Sequence, residues 1–251
     1  MIEKHIQRIT LPEAYHEALA QLFYHGENTS CPDWNTNQRE ISLTMVVEEP
    51  LAEPMISKCF IGGYRELEQY HQEMLDGILD FEVERGNWAY TYHSRIVDQI
   101  PFIISELQRN PYSRRAVIDV RDWRKDISNN EPACLQHIQY FIRDNKLHCY
   151  VLFRSNDACK ATFMNAFALI MLQKRIADEL GVSMGSYTHR ANSFHCYEAD
   201  YGLLSGYVTR IETSDDATYY YVGEWDELME DVKPEIAQLV NELKQRGATN
   251  E

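Results

Sequence analysis

The chain predicts an α+β fold in which a mixed sheet packs against one long buried helix. Three observations predict it. Met164, Phe167, Ala168, Met171, Leu172, Ile176 and Leu180 follow helical spacing up to Gly181, a long helix with one deeply buried face. Alternating runs at Ile41–Val46, Arg115–Asp122, Gln136–Ile142 and Leu147–Arg154 read as strands. The helical and alternating stretches mix without a strict βαβ rhythm, which argues against a doubly wound sheet.

Taken in order, Leu11-Pro12-Glu13 opens a helix reaching Phe23, with proline in its first turn and Tyr15, Ala18, Leu19 and Leu22 on one face. His25-Gly26 ends it, and Asn28 to Gln38 reads as polar loop. The strand at 41–46 stops at Glu48-Glu49-Pro50. A second helix covers Tyr64 to Phe81, and Gly86 breaks the pattern. Trp88-Ala89-Tyr90-Thr91-Tyr92-His93 has the aromatic, polar-dotted character of a pocket wall. Asp98 is placed to cap a helix over Ile100–Arg109, ended by Asn110-Pro111.

The next strand carries Ala116, Ile118 and Val120 on one face, and Asp144-Asn145 is a hairpin turn between the two strands that follow. Beyond Asp200 the expectation is a strand at Gly206–Ile211, another at Tyr219–Val222 and a helix at Pro234–Arg246. The tail 201–251 reads as structural. No repeat or linker interrupts the chain, so one domain over 1–251 is expected.

Composition bounds the partners. At 251 residues the chain needs no staples to form a core. Its six cysteines are scattered without a CxxC, which points to free thiols in a reducing compartment, the cytoplasm. No apolar run reaches the length of a membrane span, and Met1-Ile2-Glu3-Lys4-His5 lacks the order of a signal peptide. The net charge of −15 speaks against nucleic acid, which needs a basic face. A small anion is still allowed where arginines cluster locally.

Several side chains carry chemical potential. A lone cysteine is more often a small buried hydrophobe than a nucleophile. Cys134 stands out because it follows a proline turn, and Arg154 or Arg115 is available to stabilise its thiolate. Arg114-Arg115 is most simply a solvated pair, whereas Arg154-Ser155, closing an apolar strand, suits a phosphate. His195 and Tyr197 alternate onto one face of an extended segment and offer two hydrogen bonders. His137 would point away from Cys134 in a strand, against a Cys–His hydrolase. Neither His148/Cys149 nor His195/Cys196 has zinc-ligand spacing, so no metal is expected, and phosphate-loop motifs are absent.

In combination these pieces resemble the thymidylate synthase family. Ser113-Arg114-Arg115, Cys134, Arg154-Ser155-x-Asp157, Asn165 and His195-x-Tyr197 look like its successive active-site blocks, strongest over 113–200. The resemblance implies transfer of a one-carbon unit from 5,10-methylenetetrahydrofolate, a co-substrate, to C5 of a pyrimidine nucleoside monophosphate. It implies Cys134 as the nucleophile at C6, and Arg154 with Ser155 as the phosphate grip. Arg114 and Arg115 match arginines that reach the partner's phosphate, so a homodimer formed through the sheet is implied. Asp157 matches the pterin-binding residue, Asn165 the amide that reads N3 and O4, and His195 and Tyr197 the ribose contacts. Glu73, in Gln72-Glu73-Met74-Leu75, looks like the glutamate that orders water and moves protons beside the folate, and Tyr90 like the tyrosine near the thiol.

The chemistry is consistent with those roles. C5 of uracil is not acidic, and covalent addition at C6 divides the barrier. An amide can donate to O4 and accept from N3–H, so Asn165 favours uracil where an Asp would favour cytosine. The chain also departs from the family pattern. Ala133 and Leu135 stand where Pro and His usually flank the nucleophile, and Arg39 is a weak stand-in for an N-terminal phosphate loop. The stretch from Glu73 to Tyr90 is short, and Gln245 to Glu251 does not resemble an apolar closing tail. These features resemble the short archaeal-type synthases and the nucleotide hydroxymethylases. The expected reaction is dUMP to dTMP. The alternatives are a hydroxymethylase acting on dUMP, dCMP or CMP, where water rather than hydride finishes the C5 substituent, or a catalytically idle nucleotide-binding relative.

Overall fold

The computed structural model describes residues 1–223 and 225–248. The chain begins with β1 (Glu3–Arg8), α1 (Leu11–His25), β2 (Glu27–Cys31), β3 (Thr36–Val47) and β4 (Ile56–Ser57). Helices α2 (Tyr64–Asp76), α3 (Phe81–Glu84), α4 (Tyr92–Ile96) and α5 (Ile100–Arg109) follow. Then come β5 (Val117–Asp119), α6 (Trp123–Asp126), β6 (Leu135–Arg143), β7 (Lys146–Phe153), β8 (Asn156–Asp157) and α7 (Thr162–Leu180). The last elements are β9 (Ser183–Tyr197), α8 (Tyr201–Thr213), β10 (Thr218–Tyr219) and α9 (Trp225–Ala248).

Among the described residues, eight strands form one mixed sheet in the order β1-β3-β9-β7-β6-β5, with β2 on β3 and β8 on β9. The β6–β7 hairpin turns at Asp144 and Asn145, both left-handed (φ 50° and 57°), the conformation that matches the twist of a two-residue hairpin. Long β9 joins β3 antiparallel on one side and β7 parallel on the other. Helix α7 is buried nearly all round: Phe163, Phe167, Leu169, Ile170, Leu172 and Ile176 lie in the core, so it fills the protein rather than offering it one face. Its buried Gln173 donates from Nε2 to Leu147 O at 2.7 Å, while its Oε1 has no partner among the described residues. Helices α2 and α5 pack against it.

The structure corrects several expectations. Asn28–Gln38 is not a loop: its polar residues form β2, a 3₁₀ turn at Pro32–Trp34 and the start of β3, where the surface edge of the sheet tolerates polar side chains. Gly206–Ile211 is helical, part of α8, because Leu204 and Val208 one turn apart bury a single face. The expected strand at Tyr219–Val222 reduces to the two residues of β10, and α9 begins nine residues before Pro234, which it carries within it. Helix α2 stops at Asp76 rather than Phe81 because Gly77 adopts the left-handed conformation (φ 63°). The strand expected over Arg115–Asp122 pairs only at Val117–Asp119, although Ala116, Ile118 and Val120 are buried as their spacing requires. Asp98 lies in a 3₁₀ turn and does not cap α5. Of the terminal stretch Gln245–Glu251, residues 249–251 lie outside the described residues.

Candidate active site

Cys134 is the last residue before β6, and its carbonyl accepts from Arg154 N at 2.8 Å, which ties it to the end of β7. The Arg154 side chain also holds this turn, Nε donating to Ala133 O (3.2 Å) and Nη2 to Pro132 O (2.8 Å). One guanidinium therefore shapes the proline turn that presents the thiol, and among the described residues its Nη1 makes no hydrogen bond. The segment after Arg154 is fixed from below. His189, buried and stacked on Phe153, donates from Nε2 to Asn156 Oδ1 (2.9 Å) and accepts at Nδ1 from the Tyr187 hydroxyl (3.0 Å).

A cavity of about 680 Å³ brings together Cys134, Tyr90, Arg154, Ser155, Asp157, Asn165, His195 and Tyr197. Tyr90 precedes α4, and the other side chains come from the β6 and β7 ends, β8, the first turn of α7 and the end of β9. A second cavity of about 850 Å³ adjoins it, sharing Tyr90, Tyr92, Asn129, Asn130 and Glu131. Glu73 lines this second space with Tyr70 and Trp88, not the first.

Charge states follow from burial. Burial pushes the Cys134 thiol up, Arg154 opposes it, and Glu131 adds to the rise. The expectation that arginines hold a thiolate is therefore met in direction by Arg154 alone and outweighed by desolvation. Burial likewise raises the Glu73 carboxyl against the hydrogen bond from Gln69 (2.8 Å). Asp157 is raised by burial, while backbone N–H groups of Lys160 and Cys159, both at 2.9 Å to Oδ1, work the other way. His195 is lowered by burial, so its ring is neutral. Nδ1 donates to Ser193 O (3.3 Å), and the buried Nε2 acceptor has no partner among the described residues. An unpaired buried ring nitrogen on a cavity wall is suited to a ligand hydroxyl. Burial pushes Tyr90 and Tyr197 up to about 12, so both phenols keep their protons.

Three arginines are elsewhere. Arg115 is held by the buried carboxylate of Glu106, Nε at 3.0 Å, and does not line either cavity. Arg114 is exposed; its backbone carbonyl accepts from Gln139, and its side chain has no partner among the described residues. Arg39 does not stand in for a phosphate loop: Nη1 donates to Phe23 O (2.8 Å) and the guanidinium lies over the Tyr201 ring. His137 pairs within the sheet with Asp119 and Leu152 and does not line the cavities, as its position in a strand predicted.

Tyr92, in the stretch whose composition suggested a pocket wall, lines both cavities, and its hydroxyl accepts from Leu135 N (3.4 Å) next to the thiol. Other lining residues escaped the sequence reading. Tyr70 lies three residues before Glu73, and its hydroxyl donates to Asn165 Oδ1. The i, i+3 spacing on α2 was the available signal for Tyr70. Asp33 and Trp34, at the tip of the β2–β3 hairpin, close the rim, a placement only the unexpected hairpin produces.

Comparison with known proteins places this geometry. Residues 65–241 match the family model described as Thymidylate synthase. A protein of Methanocaldococcus jannaschii named "Putative thymidylate synthase" is 31% identical over 212 residues, 80% of this chain and 95% of that protein. A Methanosarcina barkeri protein of the same name is 29% identical over 79% of this chain and 92% of its own length. Thymidylate synthase A of Bacillus subtilis, a solved structure, superposes with a TM-score of 0.65 at 16% identity, over 80% of this chain and 84% of that one.

Proposed function

Because the chain belongs to the thymidylate synthase family of one-carbon transferases, we propose that it converts dUMP to dTMP with 5,10-methylenetetrahydrofolate through a covalent Cys134–C6 adduct. The observation that carries this reading is the convergence of Cys134, Arg154, Ser155, Asp157, Asn165, His195 and Tyr197 on one cavity from five separate parts of the chain.

In this reading Cys134 Sγ attacks C6, and the electrons move through C5–C4 onto O4. Asn165 Nδ2 stabilises that oxygen by donation. Arg154 Nη1 and the Ser155 hydroxyl hold the phosphate, His195 Nε2 and Tyr197 the ribose. The Glu73 carboxyl, which burial raises above the ordinary carboxylate range, gives and takes protons. Tyr90 and Tyr92, neutral and beside the thiol, relay the proton lost from C5.

The folate supplies the one-carbon unit and, in the synthase reaction, the hydride. The adjoining cavity suits it in size, with Trp88 and Tyr90 offering flat apolar contact, and Asp157, on the wall of the first cavity, has a second oxygen with no partner among the described residues for a pterin donor. A second reading, hydroxymethylation, is favoured by one feature. Asn87, Ser128, Asn129 and Asn130 line the folate-side cavity, and a polar wall holds the water that competes with hydride.

The working form is proposed to be a cytoplasmic homodimer built on the sheet face that carries Phe141 and Tyr150, so that Arg114 reaches the partner's phosphate. Residues 1–251 are proposed to act as one catalytic domain.

Incubation with dUMP and methylenetetrahydrofolate, following dihydrofolate absorbance and the product mass, tests the reading. Dihydrofolate with dTMP is the expected outcome. A hydroxymethyl product without dihydrofolate selects the second reading. No product from dUMP, dCMP or CMP overturns both.

A further inference from the structure

Asn165 sits in the first turn of α7 and is 3% exposed, yet its side chain has one partner among the described residues, the Tyr70 hydroxyl. Tyr70 comes from α2, which packs against α7, and lines the cavity on Glu73's side. The bond runs to Oδ1, an acceptor, so the phenol must donate. Burial raises Tyr70 well above the ordinary phenol range, which keeps that proton in place. A phenol is also a better donor than acceptor, because its oxygen lone pair is shared with the ring. An amide turned by 180° would offer Tyr70 an N–H in place of an acceptor, a poorer match.

We propose that Tyr70 is a positioning residue which locks the Asn165 amide with Nδ2 toward the base, and so makes the site select uracil over cytosine. This rests on the proposed nucleotide reading of the same cavity. With the amide locked, Nδ2 meets the O4 acceptor of uracil, and the second lone pair of Oδ1 accepts from N3–H. Cytosine presents the opposite pattern, an N4 amino donor facing Nδ2 and an unprotonated N3 facing Oδ1. Two unpaired polar contacts then replace two hydrogen bonds. Without the Tyr70 hydroxyl the amide is free to turn, and the two bases become nearly equivalent.

Titration calorimetry with dUMP and with dCMP tests this on wild type, Tyr70→Phe and Tyr70→Met. The wild type is expected to prefer dUMP, and both variants to lower the dUMP:dCMP affinity ratio by about tenfold, the effect of roughly one net hydrogen bond. A loosened fold would weaken both nucleotides together and leave the ratio alone. A ratio within about twofold of wild type, or a wild type that prefers dCMP, overturns the inference and leaves the nucleotide reading standing. A wild type that binds neither nucleotide overturns that reading, and the inference falls with it. A check without any change at Tyr70 is nuclear magnetic resonance of the wild type. The Tyr70 hydroxyl is expected as a slowly exchanging downfield proton that Asn165→Ala removes, and its absence overturns the lock.

Discussion

At Cys134 burial and a single guanidinium pull in opposite directions, and burial prevails. The resting group is a thiol, so in the proposed mechanism attack on C6 coincides with proton transfer into the Tyr90, Tyr92 and Glu73 side of the site. Cys134→Ser is expected to reduce turnover on the order of a thousandfold or more while nucleotide binding persists, because a hydroxyl is a far poorer nucleophile. Rates near wild type in a single-turnover assay would remove Cys134 from the mechanism. At the base, Asn165→Asp should move preference toward cytosine, and competition between dUMP and dCMP reads the change directly. Most of these side chains were legible in the sequence because Cys134, Arg154, Asp157, Asn165 and His195 stand in a fixed order. Tyr70 and Trp34 were not, because each reaches the site through contacts between segments far apart in the chain.

At the scale of elements, β7, β8 and β9 present the site because a buried network holds their ends. His189 is central to it, neutral between Tyr187 and Asn156, with its pKa lowered by burial to about 3. The unfolded chain protonates this histidine near pH 6.5, so below that pH the unfolded state binds more protons and stability falls with acidification. Between pH 6.5 and 4 the stability advantage of wild type over His189→Gln should shrink by about 3 kcal/mol, as measured by urea unfolding at each pH. An advantage that does not vary with pH would mean the ring is charged in the fold.

The end of α2 is equally specific. Gly77 is left-handed, and a Cβ there would lie 2.2 Å from His93 Nδ1, itself paired to Asp80 at 2.6 Å. Gly77→Ala is therefore expected to cost about 2 kcal/mol or more in thermal unfolding, by strain and by displacing His93. The helices at 11–25, 100–109 and 162–180 and the β6–β7 hairpin could be read from spacing and turn residues. The β2–β3 hairpin and α8 could not. Polar edge strands show no alternation, and Leu204 and Val208 mark a helix only once α1 supplies the surface they bury against.

Across the whole molecule, Arg114 and Arg115 separate. Arg115, itself exposed, pairs with Glu106, while Arg114 is exposed and forms no ion pair among the described residues. Arg114→Ala is expected to raise the KM for nucleotide about tenfold, the loss of one charge-assisted hydrogen bond, with the fold unchanged. Sedimentation should show a dimer, and a monomer with full activity would exclude a shared site.

The sequence by itself determined the family, the order of the candidate site residues and the main helices and strands. Local periodicity and a spaced set of side chains survive without any knowledge of what packs on what. The tertiary structure decided the rest: which arginine faces the thiol, which carboxyl lies in which cavity, and how burial sets each proton. Those are properties of distance and dielectric between segments up to a hundred or more residues apart, such as Tyr15, whose hydroxyl bridges Cys59 O and Ala158 O at 3.0 and 2.7 Å. They come into being only when the sheet closes around α7.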